Sequence, residues 1–173
     1  MRVRIGRADS FTIPRIAQLT QKTNQFNLTT HRYSEGEIQA LSDDPSVEVF
    51  WLDLHDKFGA SGVVGVLILQ AGDGGEWFID TFLLSCRVMG RTVEDAFLAA
   101  VVHETNASRL VGEYRPTAKN VPVKDLYEKL GFAHLRDDGD ARVWFLDDAM
   151  AKLSVPGWFQ VPIERDTTDA RHG

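Results

Sequence analysis

The 173-residue chain has a single cysteine, Cys86, so neither an intrachain disulfide nor a cysteine-based zinc site is expected. No apolar run reaches the ~20 residues that cross a bilayer, and the charged N-terminus is unlike a signal peptide. With 19 Lys and Arg against 25 Asp and Glu, the net charge of −6 argues against a broad nucleic-acid-binding face. These absences predict a protein of the reducing cytoplasm that binds neither membrane nor nucleic acid.

The composition is that of an ordinary globular protein, with 43% hydrophobic and 25% charged residues. The length predicts one domain over residues 1–153 and a partly mobile C-terminal extension over 154–173, which includes Trp158 and Phe159. No His, Asp and Glu residues occur together at metal-ligand spacing, so no metal is expected.

Hydrophobic periodicity predicts an α/β (α+β) chain with a mixed, mostly antiparallel central sheet flanked by helices. Strands are predicted over 2–8, 47–54, 63–69, 76–84, 109–114, 132–135 and 142–146, and helices over 13–24, 34–41, 93–107 and 122–130. Thr12, Ser34 and Thr92 are the predicted N-caps. Because strand 109–114 follows a helix, it is expected to pair in parallel with strand 76–84.

The turn Ser85–Thr92 joins a buried strand to the clearest helix. A glycine-containing turn before a helix N-terminus presents free N–H groups and a partial positive charge, a combination that binds phosphate or pyrophosphate. Arg87 and Arg91 would add side-chain charge. The alternative is an ordinary strand-to-helix turn with two solvated arginines, and Glu94 and Asp95 in the first helical turn weaken the case for an anion.

The spacing from Asn120 to Tyr127 and on to Gly131-Phe132, with the order of elements, resembles the GCN5-related acetyltransferase (GNAT) fold. The resemblance implies that coenzyme A, or the phosphopantetheine of a carrier protein, binds this chain. The implied cofactor-binding residues are Thr81, Phe82, Leu83, Leu84 (pantetheine arm), Arg87, Val88, Met89, Gly90, Arg91, Thr92 (pyrophosphate) and Asn120. Tyr127 would protonate the leaving thiolate. The alternative for Tyr127 is a ring packed on the sheet.

Longer blocks over residues 18–29, 79–91 and 116–120 resemble the C-terminal half of FkbH-like proteins, and the similarity spans about residues 2–147. This resemblance implies polyketide assembly, in which a glyceryl unit from 1,3-bisphosphoglycerate is loaded onto an acyl carrier protein as a thioester. The family's N-terminal phosphatase domain, of the haloacid-dehalogenase type, is absent. Its Asp-x-Asp nucleophile loop does not occur here, since Asp138-Gly139-Asp140 lies in a predicted hairpin turn. A separate phosphatase domain or protein is therefore an expected partner.

Within that resemblance, Cys86 is the candidate nucleophile for the acyl group, because it lies where the predicted active-site strand meets the phosphate turn. The alternative is a buried cysteine that acts as a small hydrophobe. His31 is a candidate base in the loop over the acceptor site, or else a solvated loop histidine. Asp80, inside an apolar strand, is either a base or orienting group or a hydrogen-bonded structural carboxylate.

Three classes of function follow from the sequence. The first is an FkbH-type acyltransferase, whose carrier protein would meet the basic residues Arg115, Lys119 and Lys124. The second is an acetyl-CoA-dependent N-acetyltransferase, which gives Cys86 no role. The third is a non-catalytic module that docks the carrier protein.

Asn24 and Asn27 would hydrogen-bond substrate hydroxyls or end the first helix.

Overall fold

The computed structural model describes residues 2–56, 59–88, 93–157 and 159, without the side chains of residues 56 and 59–61. Strands in this part of the chain run over Arg2–Arg7 (β1), Val47–Asp56 (β2), Gly59–Ala71 (β3), Glu76–Leu84 (β4), Arg109–Tyr114 (β5), Ala133–Asp138 (β6) and Ala141–Asp147 (β7). Helices run over Ile13–Lys22 (α1), Glu35–Asp43 (α2), Val93–Thr105 (α3), Leu126–Lys129 (α4) and Ala149–Lys152 (α5), with 3-10 turns over Cys86–Val88 and Val121–Val123.

The strands form one sheet in the order β1-β2-β3-β4-β5-β7-β6. Every neighbouring pair is antiparallel except β4 and β5, which are parallel because the chain returns through α3 between them. The predicted mixed, mostly antiparallel sheet flanked by helices is thus confirmed, as is the parallel pairing of these two strands.

Each face of the sheet has its own core. On one face Ile16 of α1 and Ile38 of α2 pack into a cluster with Leu83 of β4. On the other face Phe97 of α3 packs against Phe82, with the ring centroids 6.3 Å apart in an edge-to-face arrangement. Because successive residues of a strand point to opposite faces, Phe82 and Leu83 belong to different cores.

Two local predictions are wrong. The helix expected over 122–130 is divided into a 3-10 turn and the single turn α4, because Asp125 leaves helical geometry at φ −104° and ψ 11°. Thr12 makes no side-chain cap, since it is already close to helical backbone geometry. Asp9 caps the helix instead, because its carboxylate accepts hydrogen bonds from the N–H groups of Phe11 and Thr12 at 3.0 and 2.8 Å.

Other predicted element boundaries are confirmed or differ by a few residues. Ser34 caps α2 as predicted and forms a reciprocal capping box with Glu37. Strand β3 begins at Gly59, four residues before the predicted start at residue 63. The closing hairpin is longer than expected and turns at Gly139, whose φ of 62° suits glycine. The predicted cap Thr92 lies outside the described residues, as does most of the C-terminal extension.

The feature that organises the middle of the sheet is the parting of β4 and β5. Their pairing begins at Glu76 and Arg109 and ends at Ile79 and Gly112. From there to Leu84, β4 has no strand of the sheet on its β5 side.

No helix in the described residues is long and apolar enough to cross a bilayer.

Candidate functional site

The gap between β4 and β5 is filled by the segment Phe26–Thr29, which we call the strap. The Leu28 N–H donates to the Phe82 carbonyl at 3.2 Å, and the Leu84 N–H donates to the Phe26 carbonyl at 3.1 Å. The strap is antiparallel to the end of β4. It therefore forms hydrogen bonds with the main-chain groups on the side of β4 that faces the gap.

The strap is also bonded to β5. The Arg115 N–H, directly after β5, donates to the Leu28 carbonyl at 2.8 Å. The Thr29 hydroxyl donates to the Asp80 carbonyl at 2.8 Å, where the gap begins. Leu28 is completely buried, so the strap is a packed part of the sheet rather than a loop laid over it.

Asn120, in the loop that follows β5, holds the strap in place. This side chain is completely buried, and its amide donates to the carbonyls of Asn27 and Arg115 at 3.0 and 2.8 Å. Its oxygen accepts the Thr117 N–H at 2.8 Å and the Tyr114 hydroxyl at 3.2 Å. An asparagine amide offers two donor and two acceptor positions, and all four are occupied. Asn120 would thus act on a bound cofactor only through the strap.

The residues before and after the strap fold it into the gap. Arg32 donates to the carbonyls of Thr20 and Thr23 at the end of α1, and to the Asn24 side chain at 2.6 Å. These bonds satisfy carbonyls that a helix C-terminus leaves free. The side chain of Asn27 is likewise turned inward, accepting the Thr30 N–H at 2.9 Å. The block 18–29, which carries part of the resemblance to FkbH-like proteins, therefore contains the end of α1 and the strap.

A β-bulge directs Asp80 out of the regular pleat. Ile79 is opposite Leu69 and Thr81 is opposite Ile68, which leaves Asp80 as the extra residue on β4. Asp80 is therefore half-buried, not enclosed as its apolar surroundings in the sequence suggested. Bulges of this kind re-aim a side chain, and here the carboxylate points to the loop that follows the strap.

Three side chains converge on the Asp80 carboxylate. The hydroxyls of Tyr33 and Thr81 donate to Oδ2 at 2.7 and 2.8 Å, and His31 Nδ1 lies 3.3 Å from Oδ1. Burial alone would raise the pKa of Asp80, but the interactions with these three side chains together lower it below the ordinary value. The Asp80 carboxylate beside it raises the pKa of His31, and burial opposes this effect only in part. The structure therefore places together His31 and Asp80, which the sequence predicted as separate candidates, as an imidazole beside a carboxylate.

This pair borders a small cleft on the uncovered part of the sheet. The cleft has a volume of about 210 Å³, and its walls include the charged residues His31, Asp80, Glu113, Arg115, Arg136 and Asp138. Arg115 is paired with Glu113 at 3.0 Å. The cleft thus offers positive and negative groups to a small polar molecule next to a histidine that can take up a proton.

Tyr127 lies on the opposite face of the sheet. Its ring is fully buried against Gly112, and it packs against Phe132 with ring centroids 4.9 Å apart. Among the described residues its hydroxyl has no hydrogen-bond partner, and burial raises its pKa well above the ordinary value. The hydroxyl is therefore a protonated donor directly beneath the point where β4 and β5 part.

Cys86 is exposed, which excludes the alternative of a buried hydrophobe. It opens the 3-10 turn after β4 and lines a cavity of about 670 Å³. The other walls are the end of α1 with the following loop, including Lys22, Asn24 and Phe26, and the loop containing Lys119 and Pro122. Asp80 and Cys86 are six positions apart along a mostly extended segment, a separation of up to roughly 20 Å at the usual strand rise, and Tyr127 lies on the other face, so the four predicted catalytic residues do not form one cluster.

The remaining predicted cofactor residues divide into two groups. Thr81, Phe82, Leu83 and Leu84 are all completely buried, and the gap-facing groups of Phe82 and Leu84 are bonded to the strap. Arg87 is exposed and Val88 is buried, whereas Met89, Gly90, Arg91 and Thr92 lie outside the described residues. Glu94, in the first turn of α3, has a buried carboxylate oxygen, and burial raises its pKa.

Coenzyme A, which the resemblance implies, does not fit the gap as the chain is folded. The strap already uses the Phe82 carbonyl and the Leu84 N–H, to which an extended arm would have to bond. The partly buried carboxylate of Glu94, in the first turn of α3, also disfavours an anion at that helix N-terminus. No group of three potential metal ligands occurs within the described residues.

No model of a protein family matches the chain, and a search of curated proteins finds no relative. Solved structures do match. The chain is similar to the ribosomal-protein-S18-alanine N-acetyltransferase of Escherichia coli, at 17% identity and a TM-score of 0.63 over 84% of this chain and 94% of that one. It is also similar to spermidine N-acetyltransferase of Vibrio cholerae, solved with CoA and spermine, at 12% identity and a TM-score of 0.62 over 86% and 97%.

A putative GNAT-family acetyltransferase of Desulfovibrio desulfuricans matches at 17% identity and a TM-score of 0.58, over 84% of this chain and 98% of that one. At these identities the likeness concerns the fold. The chain has the GNAT fold, as the order of elements predicted.

Proposed function

We propose that the chain is an acyltransferase that takes an acyl group from a thioester, most specifically a glyceryl unit carried on the phosphopantetheine thiol of an acyl carrier protein. The observation that carries the proposal is the position of Cys86, exposed at the end of β4 on a cavity of about 670 Å³. The GNAT fold and the resemblance of residues 18–29, 79–91 and 116–120 to FkbH-like proteins support the same class of reaction.

The chemistry is a thioester exchange. The Cys86 thiolate attacks the thioester carbonyl, a C–S bond to Cys86 forms, and the C–S bond to the pantetheine sulfur breaks with departure of that thiolate. The reverse step, on a second carrier protein, returns the acyl group. The bonds formed and broken are of one type, so the exchange runs in both directions. A separate phosphatase would supply the dephosphorylated glyceryl unit.

Two basic residues, Lys22 and Lys119, line this cavity. Arg115 and Lys124, close in the chain to its wall at Ala118–Pro122, are also exposed. Carrier proteins with an acidic face would meet these cations, and such complementarity raises the association rate more than it raises affinity. Weaker loading at higher ionic strength is the expected consequence.

Intact mass spectrometry under denaturing conditions tests the proposal. After incubation with glyceryl-loaded carrier protein, the chain is expected to gain one glyceryl unit, which neutral hydroxylamine removes because it cleaves thioesters. Cys86 is the single cysteine, so Cys86→Ala must abolish the adduct, while the matched neighbour Ser85→Ala must retain it. A chain that stays unmodified beside loaded carrier protein contradicts the proposal and favours docking or direct transfer.

The cleft beside His31 favours a second candidate, direct N-acetylation of an amine by acetyl-CoA. Here His31, with Nδ1 3.3 Å from the Asp80 carboxylate, would take the proton from the acceptor's ammonium group. Turnover of acetyl-CoA with amines that is lost in His31→Gln but retained in Cys86→Ser would support this candidate over the first.

A further inference from the structure

The strap has a consequence for how a thioester arm reaches this chain. An extended arm in the gap would need the free main-chain groups of β4 between Asp80 and Leu84. Three of these groups, on alternate residues, are already bonded: the Asp80 and Phe82 carbonyls accept from the strap, and the Leu84 N–H donates to it. The gap therefore contains a strand-like segment of the chain in the place of a ligand.

The strap is too well packed to be an incidental occupant. Phe26 is 4% exposed, and its ring contacts Phe82 edge-to-face at 5.5 Å. Leu28 and Asn27 are fully buried, and Asn27 is bonded to Asn120, which lies 93 residues later in the chain. Withdrawal of the strap would expose two large apolar side chains and leave one of the two donor positions of the Asn120 amide unpaired in the interior.

The outer side of the strap borders free space. The cavity beside Cys86 has Phe26 as one wall, together with Lys22 and Asn24, and the loop with Ala118 and Lys119 as the other. Its volume of about 670 Å³ lies within the range of small-molecule sites. Apolar carbon, amide groups and two ammonium groups suit an amide-containing chain that ends in a phosphate.

We propose that the strap closes the β4–β5 gap permanently, and that a pantetheine arm binds instead in the cavity on the strap's outer side, between Phe26 and Ala118. The identity of the arm rests on the proposed function, whereas the closure of the gap rests on the contacts of the strap alone. Asn120 is a positioning residue in this arrangement, since it fixes the strap without contacting the arm.

Hydrogen exchange with coenzyme A as the probe tests both parts. The Leu28, Leu84 and Arg115 amides, which hold the strap, are expected to keep their protection at saturating coenzyme A, while NMR signals of Lys22–Phe26 and Ala118–Lys119 shift. Loss of protection at Leu28 on addition of coenzyme A would show that the arm displaces the strap, and would overturn the proposal.

Variants locate the arm. Ala118 is exposed, so Ala118→Trp fills the cavity without disturbing the core and is expected to weaken coenzyme A binding at least tenfold. Ala133→Trp, equally exposed on β6, is the matched control and is expected to bind as the wild type does. Wild-type affinity in Ala118→Trp, or no binding of coenzyme A to the wild type, overturns the assignment of the cavity.

Asn120→Ala gives a third readout, because loss of its amide should lower exchange protection at Leu28 and Arg115 at least tenfold while the strands β2 and β3 remain protected. Unchanged protection would contradict its positioning role. The proposed function is judged separately, by the adduct on Cys86. If the adduct forms and Ala118→Trp does not affect loading, the assignment of the arm to the cavity is refuted while the proposed acyltransferase activity stands. If coenzyme A binds in the cavity and no adduct forms, the acyltransferase activity is refuted while the binding site stands.

Discussion

Gly112 has two structural roles: it is the last residue of β5 paired with β4, and its backbone lies against the ring of Tyr127. A Cβ at this position would meet Cζ of that ring and would lie 2.7 Å from Cε1 and 2.8 Å from the hydroxyl. We therefore expect Gly112→Ala to displace the ring and to lower the free energy of unfolding by about 1–3 kcal/mol, as overpacking does elsewhere.

Urea denaturation measures this change. The control is Gly36→Ala in the exposed first turn of α2, where the nearest atom to a Cβ is Ser34 Oγ at 3.9 Å. It should leave stability unchanged or raise it by up to ~1 kcal/mol, because alanine favours the helix. Equal stability of Gly112→Ala and the wild type would mean that the ring is not fixed against β5.

The His31–Asp80 pair makes a prediction about pH. Because Asp80 raises the pKa of His31, Asp80→Asn is expected to lower that pKa, as seen by NMR titration of the imidazole. Asp137→Asn, which removes a carboxylate 2.7 Å from His134, is the matched control and should leave the His31 titration unchanged. An unaltered titration in Asp80→Asn would show that the two side chains are not coupled.

The same pair contributes to stability in a defined pH window. The raised pKa of His31 means that its contribution is complete below about pH 6.5 and is lost as pH rises through the folded-state value. The lowered pKa of Asp80 means that its contribution is complete above about pH 4 and is lost at lower pH. The stability difference between wild type and Asp80→Asn should therefore be largest between these limits, at about 1 kcal/mol.

Among the elements, α2 has the most clearly defined start. The Ser34 hydroxyl accepts the Glu37 N–H at 3.1 Å, and the Glu37 carboxylate accepts the Ser34 N–H at 3.2 Å. Ser34→Ala should cost about 1 kcal/mol of unfolding free energy, whereas Ser34→Asp, an equally good cap, should cost little. Thermal and urea denaturation of both variants would check this, and equal losses would show that the cap is not the cause.

Elements with strong local signals could be predicted from the sequence, and those set by distant contacts could not. The capping box of α2 and the apolar runs of β4 and α3 depend on neighbours in the chain, and their positions were correct within a few residues. The strap has no such local signal, because its bonds go to Phe82, Leu84 and Arg115, more than fifty residues away. The bulge that turns Asp80 toward His31 likewise depends on the register with β3.

At the scale of the molecule, the sheet ends in a strand that is protected from further pairing. Every residue of β6 is exposed, and the strand includes Arg136, Asp137 and Asp138. Charges on an edge strand discourage edge-to-edge association. Replacing Arg136 and Asp138 together by Val should therefore produce a concentration-dependent dimer in light scattering after gel filtration. Asp73→Val, in an exposed turn, is the control, and a monomeric double variant would contradict the role of the charges.

The bond between Asn27 and Asn120 also orders the events of folding. The strap cannot be fixed until β5 and the residues up to Asn120 are available, because its second side is bonded to Arg115 and Asn120. Contacts between residues so far apart in the chain form late and slow the overall folding rate. During synthesis, the β1–β4 meander would emerge with an unpaired β4 edge, and that edge would be the surface most exposed to aggregation or chaperone binding until β5 and the residues up to Asn120 arrive.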